Sequence, residues 1–185
     1  MPFTHGAASV RRLRADEHAL YLDFMLGLDA QTRHDRFCAG VGDAFVRRHA
    51  ARLFEAGAVV FGCFVEGTLR GAAELHLGGG EPAEAAFAVD RQFQSRGIGT
   101  ALLEAVVLAA RNRGAARVRV TCLRTNLAMR RLAQKAEARL ILTLDEVEGE
   151  ILTPRATPLS WLREASAEVA DRTIRLLKRP EPRAA

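Results

Sequence analysis

A short glycine-containing segment, Gln94-Ser95-Arg96-Gly97-Ile98-Gly99, constrains the fold of this chain more than any other feature. It follows an apolar run from Ala85 to Val89 and opens an apolar-periodic run from Ile98 to Ala110, which predicts a strand, a tight turn and a helix. The first N–H groups of a helix lack partners and carry partial positive charge, so they suit a phosphate. Because glycine has no side chain to keep a phosphate at a distance, the segment predicts a phosphate-bearing cofactor.

Two other glycine-rich phosphate motifs do not fit this segment. A dinucleotide-binding fingerprint needs a third glycine where Leu102 stands, and the chain has no clear βαβαβ repeat. A Walker A loop would end in Gly-Lys-Ser or Gly-Lys-Thr, and this segment does not. A plain structural turn stays open as an alternative, because glycine turns are common.

Length and composition fit one globular domain with a small appendage. The chain has 185 residues, 49% of them hydrophobic, and no apolar run approaches the roughly 18 to 20 residues that span a bilayer. No secretory signal is visible, and Cys38, Cys63 and Cys122 lack a CxxC spacing. We therefore expect a cytoplasmic protein with reduced thiols, in which Cys63 and Cys122 are small core residues.

The positive charge of the chain allows two kinds of partner. A net charge of +5 suits either a nucleic acid or a polyanionic small molecule such as coenzyme A. The basic residues are spread along the whole chain, and one tryptophan and one tyrosine offer little stacking surface for bases. The composition therefore disfavours nucleic acid.

Residue patterning predicts the order β-α-α-β-β-β-α-β-α-β-β, followed by a C-terminal helix. We expect Asp16 and Asp43 to cap the first two helices, and the polar segment from Gln31 to Gly42 between those helices to be a loop. Arg117 to Leu123 alternates polar and apolar residues like a strand with one polar face, and Asn126 begins the next helix. The fold class is therefore α/β, a mixed sheet with helices against it.

The C-terminal part is predicted to be an extension of the domain. The domain spans residues 8–153, and Pro154 and Pro158 then break the chain. Residues 154–185 are predicted to form a helix from about Leu159 to Leu177 and a tail. Its apolar stripe is expected to pack on the domain, with a second copy of the chain in a homodimer as the alternative.

The segment from Gln94 to Thr100, with Val89 ending the strand before it and Leu102 and Leu103 after it, resembles motif A of the GNAT superfamily. These proteins are acyl-CoA-dependent N-acyltransferases with the pattern Q/R-x-x-G-x-G/A. The likeness covers about Val10 to Thr153. It implies a single GNAT domain with a central, mixed and splayed sheet, and acetyl-CoA as the co-substrate.

The same resemblance implies which residues bind the cofactor. The backbone of Ala88 and Val89 would pair with the pantetheine arm like an added strand, and Asn126 would contact the same arm. A splayed gap between the strands at Ala88 and Val118 would admit the arm. Backbone amides would bind the pyrophosphate along the turn and the helix start: Gln94, Ser95, Arg96, Gly97, Ile98, Gly99 and Thr100.

Two further segments resemble protein lysine acetyltransferases. Thr32-Arg33-His34-Asp35-Arg36-Phe37 is similar to their s-x-x-x-RF segment, and Glu84-Ala85-Ala86-Phe87-Ala88-Val89 to their E-x-A-x-x-V strand. In that group the glutamate is proposed as the catalytic base. The alternative for the first segment is a structural role, with the arginine and the phenylalanine fixing the local chain.

Acyl transfer to an amine needs a base, because an alkyl ammonium with a pKa near 10 has no lone pair. Glu84 is the first candidate and Glu74 the second. In a partly dry cleft a carboxylate has a raised pKa, which suits a base. A surface carboxylate is the alternative for each, and His76 is a further candidate base. The resemblance assigns the Val89 amide to the developing oxyanion.

The group that protonates the departing thiolate is not evident. Many family members place a tyrosine about seven residues after the asparagine, where this chain has Ala133, and its only tyrosine is Tyr21. Either water protonates the thiolate or the thiolate leaves unprotonated. The histidines are scattered, and no H-E-x-x-H occurs, which disfavours a metal site.

The sequence thus predicts an N-acetyltransferase that acts on a primary amine, with protein lysine as one acceptor class. The alternative is a non-catalytic acyl-CoA-binding module with a regulatory role. A basic nucleic-acid-associated protein is the third hypothesis.

Overall fold

The computed structural model describes residues 8–78 and 82–166 of the chain. Two short 3₁₀ turns lie at Ala15–Glu17 and Arg91–Phe93, and residues 158–166 are helical. The other elements, in chain order, are β1 (Ala8–Arg12), α1 (His18–Leu26), α2 (Ala30–Phe37), α3 (Asp43–Glu55), β2 (Val59–Val65), β3 (Thr68–His76), β4 (Ala83–Val89), α4 (Ile98–Asn112), β5 (Arg117–Leu123), α5 (Leu127–Lys135), β6 (Arg139–Leu142) and β7 (Glu146–Leu152).

The seven strands form one mixed sheet in the order β1-β2-β3-β4-β5-β7-β6. Every neighbouring pair is antiparallel except β4 and β5, which are parallel. Their ladder runs only from the pair Ala83–Val118 to the pair Ala85–Val120, and the strands then separate. The predicted α/β fold with a splayed sheet is therefore confirmed. The gap opens beyond Ala85, however, and Val118, where the sequence placed it, lies in the paired part.

Helices cover both faces of the sheet and divide the core in two. On one face, α4 buries Leu102 and Val106 against sheet residues such as Ala85 and Val120. On the other face, α1 and α3 pack Tyr21, Met25, Val46 and Ala50 against β2, β3 and β4. Because side chains alternate along a strand, β4 presents Ala85 to the first core and Ala88 to the second.

Local signals located the ends of the later helices correctly. The helix α4 begins after Gly97 and ends before Gly114, and both glycines have positive φ, 84° and 79°. Asn126 caps α5, because its side chain accepts a hydrogen bond from the Met129 N–H at 2.9 Å. The two aspartate caps were wrong. Asp16 lies in a 3₁₀ turn before α1, and Asp43 is the first residue of α3, after an N-cap at Gly42.

The segment predicted as a loop, Gln31 to Gly42, contains most of α2, so three helices rather than two precede β2. Asp29 caps α2 and accepts hydrogen bonds from the N–H groups of Gln31 and Thr32, each at 3.1 Å. The helix ends at Cys38, which has a left-handed conformation with φ of 52°. The sequence of α2 is mostly polar, so it lacks the apolar periodicity from which a helix is usually predicted.

The described part of the C-terminal helix is held to the domain by polar contacts. The Ser160 hydroxyl donates to Asn112 Oδ1 at 2.5 Å, and Arg113 pairs with Glu164 at 2.7 Å. The expected apolar packing is not seen in this part, where large apolar side chains are exposed: Leu159, Trp161 and Leu162. The rest of the predicted helix, up to Leu177, and the tail lie outside the described residues.

Two further expectations concern the cysteines and the membrane. All three cysteines are free, and Cys63 and Cys122 are buried in the interior as expected. Burial raises the pKa of each of these two thiols to about 11. No helix within residues 8–78 and 82–166 is long and apolar enough to cross a membrane.

Candidate active site

A cavity of about 360 Å³ lies where β4 separates from β5. The second half of β4 and the turn after it form one wall, and the start of α4 forms the base: Phe87, Ala88, Val89, Phe93, Gln94, Ser95, Gly97, Gly99 and Thr100. The other walls come from α5 with its cap and from α2: Asn126, Ala128, Met129, Arg131, Leu132, Lys135, Thr32, Asp35 and Arg36.

The N-terminus of α4 opens into this cavity without a side-chain cap. Ser95 and Gly97 have positive φ, 59° and 84°, and turn the chain sharply into the helix. Gly97 is the N-cap and has no side chain to satisfy the first N–H groups. A Cβ on Gly99 would meet only Leu132, at 3.4 Å, an ordinary contact. Packing therefore does not require a glycine at this position. Because residue 99 has no side chain, the backbone N–H groups are accessible from the cavity.

The exposed edge of β4 presents alternate backbone groups to the gap. The Asp90 N–H donates to the Arg70 carbonyl at 2.9 Å, which fixes the phase of the antiparallel β3–β4 ladder. Ala88 therefore exchanges its hydrogen bonds with Ala72, whereas the N–H and C=O groups of Phe87 and Val89 point toward the gap. A strand-like ligand would pair with Phe87 and Val89, and the expected backbone role of Ala88 does not fit this geometry.

The structure brings together all but two of the residues expected at the cofactor. Those lining the cavity are Ala88, Val89, Gln94, Ser95, Gly97, Gly99, Thr100 and Asn126. The Gln94 side-chain amide also donates to the Val89 carbonyl at 3.1 Å, which ties the turn to the strand. Of the two that do not line it, Arg96 stacks on the Phe93 ring at 5.0 Å, and Ile98 is buried in the core.

Several lining residues were not found from the sequence. On α5, Ala128, Arg131, Leu132 and Lys135 follow an i, i+3, i+4, i+7 spacing and share one face, a signal the sequence contains. Arg131 and Lys135 add positive charge to the wall. On α2, Thr32, Asp35 and Arg36 share a face in the same way, but the helix itself was missed.

Glu74 is the centre of a buried polar cluster behind the cavity. Its carboxylate is 1% exposed. The Oε1 atom accepts hydrogen bonds from the Tyr21 hydroxyl and an Arg36 guanidinium nitrogen, each at 2.5 Å. The Oε2 atom lies 3.1 Å from His49 Nε2 and 3.2 Å from His76 Nε2. Arg36 also lines the cavity, so the s-x-x-x-RF segment has a structural contact at its arginine.

The surroundings of Glu74 lower the pKa of its carboxyl group, whereas a raised pKa was expected for a base. Burial acts to raise the pKa of this carboxyl, but the Arg36 guanidinium and the hydrogen bonds from His49 and His76 outweigh burial and hold the pKa well below its usual range. Burial and the charge of Glu74 raise the pKa of Tyr21 well above its usual value. Glu74 is therefore an anion and Tyr21 a neutral phenol at neutral pH.

Glu84 has very different surroundings on the neighbouring strand. It is exposed on β4, directly opposite His76 of β3 and Arg119 of β5. Residues directly opposite each other lie on the same face of a sheet, so Glu84 lies on the face of His76. Glu74 is two residues from His76 on β3 and therefore lies on that face as well. It does not line the cavity and is not in the partly dry cleft that was expected.

Neither the position of the missing family tyrosine nor the tyrosine that the chain does have lines the cavity. Ala133 is buried, 2% exposed, in the core beneath α5, and Tyr21 is fully buried with its hydroxyl on Glu74. Among the residues that the structure describes, no group of histidine, cysteine, aspartate or glutamate side chains is arranged to hold a metal ion.

This fold and cavity place the chain among known transferases. A family model described as the acetyltransferase (GNAT) family matches residues 27–137, which is more than half of the chain. The chain therefore belongs to the GNAT acetyltransferase family, as the glycine turn predicted. Among curated protein sequences, none matches the chain.

Solved structures agree with this assignment. The GNAT domain of PAT from S. lividans is 25% identical, with a TM-score of 0.67 over 80% of this chain and 91% of that one. The ribosomal-protein-S18-alanine N-acetyltransferase of Escherichia coli is 17% identical, with a TM-score of 0.62 over 82% and 97%. A phosphinothricin acetyltransferase from Sinorhizobium meliloti, solved with acetyl-CoA, is 15% identical, with a TM-score of 0.60 over 81% and 90%. Acetyl-CoA as co-substrate is thus confirmed at the level of the family.

Proposed function

We propose that this chain transfers an acetyl group from acetyl-CoA to a primary amine, with the Glu84 carboxylate as the general base. The observation that carries this proposal is the cavity between the separated ends of β4 and β5, with the uncapped start of α4 at its base. A phosphate-bearing strand-like molecule fits both features at once, since one supplies N–H groups for anions and the other a free strand edge.

The residues of the cavity fit acetyl-CoA part by part. The N–H groups at the start of α4 would hold the pyrophosphate, with Arg131 and Lys135 adding positive charge. The backbone groups of Phe87, together with the N–H of Val89, would pair with the pantetheine arm, because the Val89 carbonyl already accepts a hydrogen bond from the Gln94 side chain. Bound acetyl-CoA supplies an activated thioester carbonyl. The Val89 N–H, which faces the gap, would donate to the developing oxyanion.

Glu84 is the better of the two candidate bases. The base must be accessible to an incoming ammonium group, and Glu84 is exposed at a part of the sheet that the helices do not bury. The Glu74 carboxylate already accepts hydrogen bonds on both oxygens and is sealed from solvent. A base that is not in the cavity itself would act through a water molecule. With no tyrosine at Ala133, water is also our candidate for protonating the thiolate.

Protein lysine is our first acceptor class. The likeness of Thr32–Phe37 and Glu84–Val89 to lysine acetyltransferases supports it. We further propose that the domain spans residues 8–153, that residues 154–185 extend it, and that the protein is cytoplasmic. A homodimer stays a prediction.

Thermal unfolding with saturating acetyl-CoA tests the cofactor site. Acetyl-CoA is expected to stabilise the chain by about 2 to 4 kcal/mol. Gly99→Glu should abolish this shift, because the new carboxylate would repel the pyrophosphate while its Cβ makes only an ordinary contact. Gly40→Glu adds the same charge in open space and should keep the shift. An absent shift in the unaltered chain would exclude both cofactor-binding hypotheses.

Release of free thiol with a panel of amines tests catalysis. The panel should contain lysine peptides, polyamines, amino acids and aminoglycosides. Glu84→Gln is expected to lower kcat/KM by about 10² to 10⁴ for an accepted amine. Stabilisation by acetyl-CoA without thiol release from any amine would favour the non-catalytic binding module instead.

A further inference from the structure

We propose that His76 takes the proton that Glu84 removes from the acceptor amine, and that Glu74 holds the His76 imidazole in the tautomer this transfer requires. The inference rests on the proposed function, because it adds a second proton acceptor to the same reaction. Glu74 is then a positioning residue, although it touches neither the amine nor the thioester.

The position of His76 beside Glu84 follows from the register of β3 and β4. The two residues lie directly opposite each other in the antiparallel ladder. Side chains in such a pair share one face of the sheet, with Cβ atoms about 4.5 to 5.5 Å apart. The His76 side chain is 39% exposed, and Glu84 is exposed as well. The imidazole and the carboxyl group therefore lie on the same exposed side of the sheet. Within the described residues they make no direct contact, so a water molecule would bridge them.

The contact with Glu74 determines which nitrogen of His76 is free. His76 Nε2 lies 3.2 Å from Glu74 Oε2, and an ionised carboxylate only accepts hydrogen bonds. Nε2 therefore carries the hydrogen, and in a neutral imidazole Nδ1 is left with a lone pair. Within the part of the chain that the structure describes, no hydrogen bond occupies this Nδ1. It is available to accept a proton.

Charged and polar groups face the imidazole from both strands and from the helices. Glu74 on its own strand and Glu84 on β4 carry carboxyl groups, and Arg119 of β5 lies directly opposite Glu84. Beyond Glu74, the cluster is completed from the three helices packed on this face by Tyr21 of α1, Arg36 of α2 and His49 of α3. Of these, Arg36 is a cation that pairs with the other oxygen of Glu74.

The proton balance explains why a second acceptor is useful. The amine N–H bond breaks as an O–H bond forms on Glu84. This O–H bond breaks in turn as the proton passes to a bridging water molecule, while that water gives one of its own protons to His76 Nδ1, where an N–H bond forms. In reference compounds an imidazole is more basic than a carboxylate by about two pKa units, and the second transfer restores the carboxylate. The exposed imidazolium then loses its proton to water.

His49 provides a matched control. It approaches the same Oε2 atom at 3.1 Å, also through Nε2. It lies on α3, against the rings of Phe37 and Phe45 at 5.1 and 6.3 Å, and no strand register places it opposite Glu84. Glutamine can replace either histidine and still donate to Glu74 through its side-chain amide. Both variants therefore lose an imidazole ring that contacts Glu74. Only His76→Gln loses a ring that lies opposite Glu84.

The first experiment is the pH dependence of kcat/KM, read by thiol release from acetyl-CoA. The acceptors are an α-N-acetylated lysine peptide and, in parallel, spermidine. His76→Gln is expected to lower kcat/KM at pH 7 by about 10- to 100-fold and to remove an ionisation in the imidazole range. His49→Gln should keep both. An unchanged rate and profile in His76→Gln would overturn the proposal.

The second experiment does not depend on activity. Nitrogen-15 NMR of the ligand-free protein should show His76 with the hydrogen on Nε2 and a bare Nδ1. Glu84→Gln should shift the His76 ring signals and leave those of His49 in place. A hydrogen on Nδ1 would refute the proposed proton transfer. His76 ring signals that do not change in Glu84→Gln would refute it as well. If these signals behave as expected but neither amine releases thiol, the proposed function fails on its own account.

Discussion

Two carboxylates on neighbouring strands, Glu74 and Glu84, share one face of the sheet and yet have opposite surroundings. Glu74 is enclosed by an arginine, a tyrosine and two histidines, whereas Glu84 is open to solvent. The helices explain the difference, because α1, α2 and α3 cover the face at Glu74 and do not bury Glu84. A glutamate on β3 is therefore held in a buried cluster of hydrogen bonds and an ion pair, whereas the glutamate on β4 stays accessible to solvent.

The largest effect expected from this comparison is on stability at Glu74. Arg36→Met should lower the free energy of unfolding by about 3 to 5 kcal/mol, because it leaves a buried carboxylate without its cation. Urea unfolding measures the loss. Arg119→Met is the control, since Arg119 is partly exposed and lies 3.8 Å or more from its glutamates. That change should cost less than about 1 kcal/mol. Equal losses in the two variants would contradict the contrast.

A smaller effect is expected on stability in acid. The pKa of Glu74 is lowered on folding, so its contribution is complete above the reference carboxyl pKa of about 4.3 and is lost as the pH falls toward the folded value. Unfolding measured between pH 7 and pH 3 should show stability decreasing below that pH. Glu74→Gln should flatten this decrease, although it lowers stability at pH 7. A decrease as steep as that of the unaltered chain would assign the acid sensitivity to other carboxyls.

The smallest stability change is expected at Glu84. Glu84→Gln replaces an exposed carboxylate and should alter the free energy of unfolding by no more than about 0.5 kcal/mol. The same substitution should nevertheless lower kcat/KM by about 10² to 10⁴. Parallel urea unfolding and thiol-release assays separate the two outcomes. A large loss of stability would mean that Glu84 is structural after all.

The sequence predicted those parts of the fold that depend on neighbouring residues. Gly97, Gly114 and Asn126 marked helix ends correctly, because a positive φ or a capping side chain acts within a single turn. The cavity lining around Gln94 to Thr100 followed from the same local signals. Resemblance to the GNAT family then supplied the ligand that these signals alone did not name.

The parts that were missed depend on contacts between distant residues. Tyr21 and Glu74 are separated by 53 positions, so neither identifies the other as a partner in the sequence. The helix α2 is polar and short, and its place against β4 is what stabilises it. The gap between β4 and β5 depends on where their ladder stops, which residue alternation does not specify.

The separation of β4 from β5 gives the molecule an unpaired sheet edge in its interior. Along that edge, the amides of Phe87 and Val89 face the gap, while those of Ala86 and Ala88 belong to the ladder with β3. Successive residues of one strand should therefore exchange their amide hydrogens with deuterium at alternating rates, fast and slow. A ligand that completes the strand would slow the fast pair, so that binding also closes the sheet.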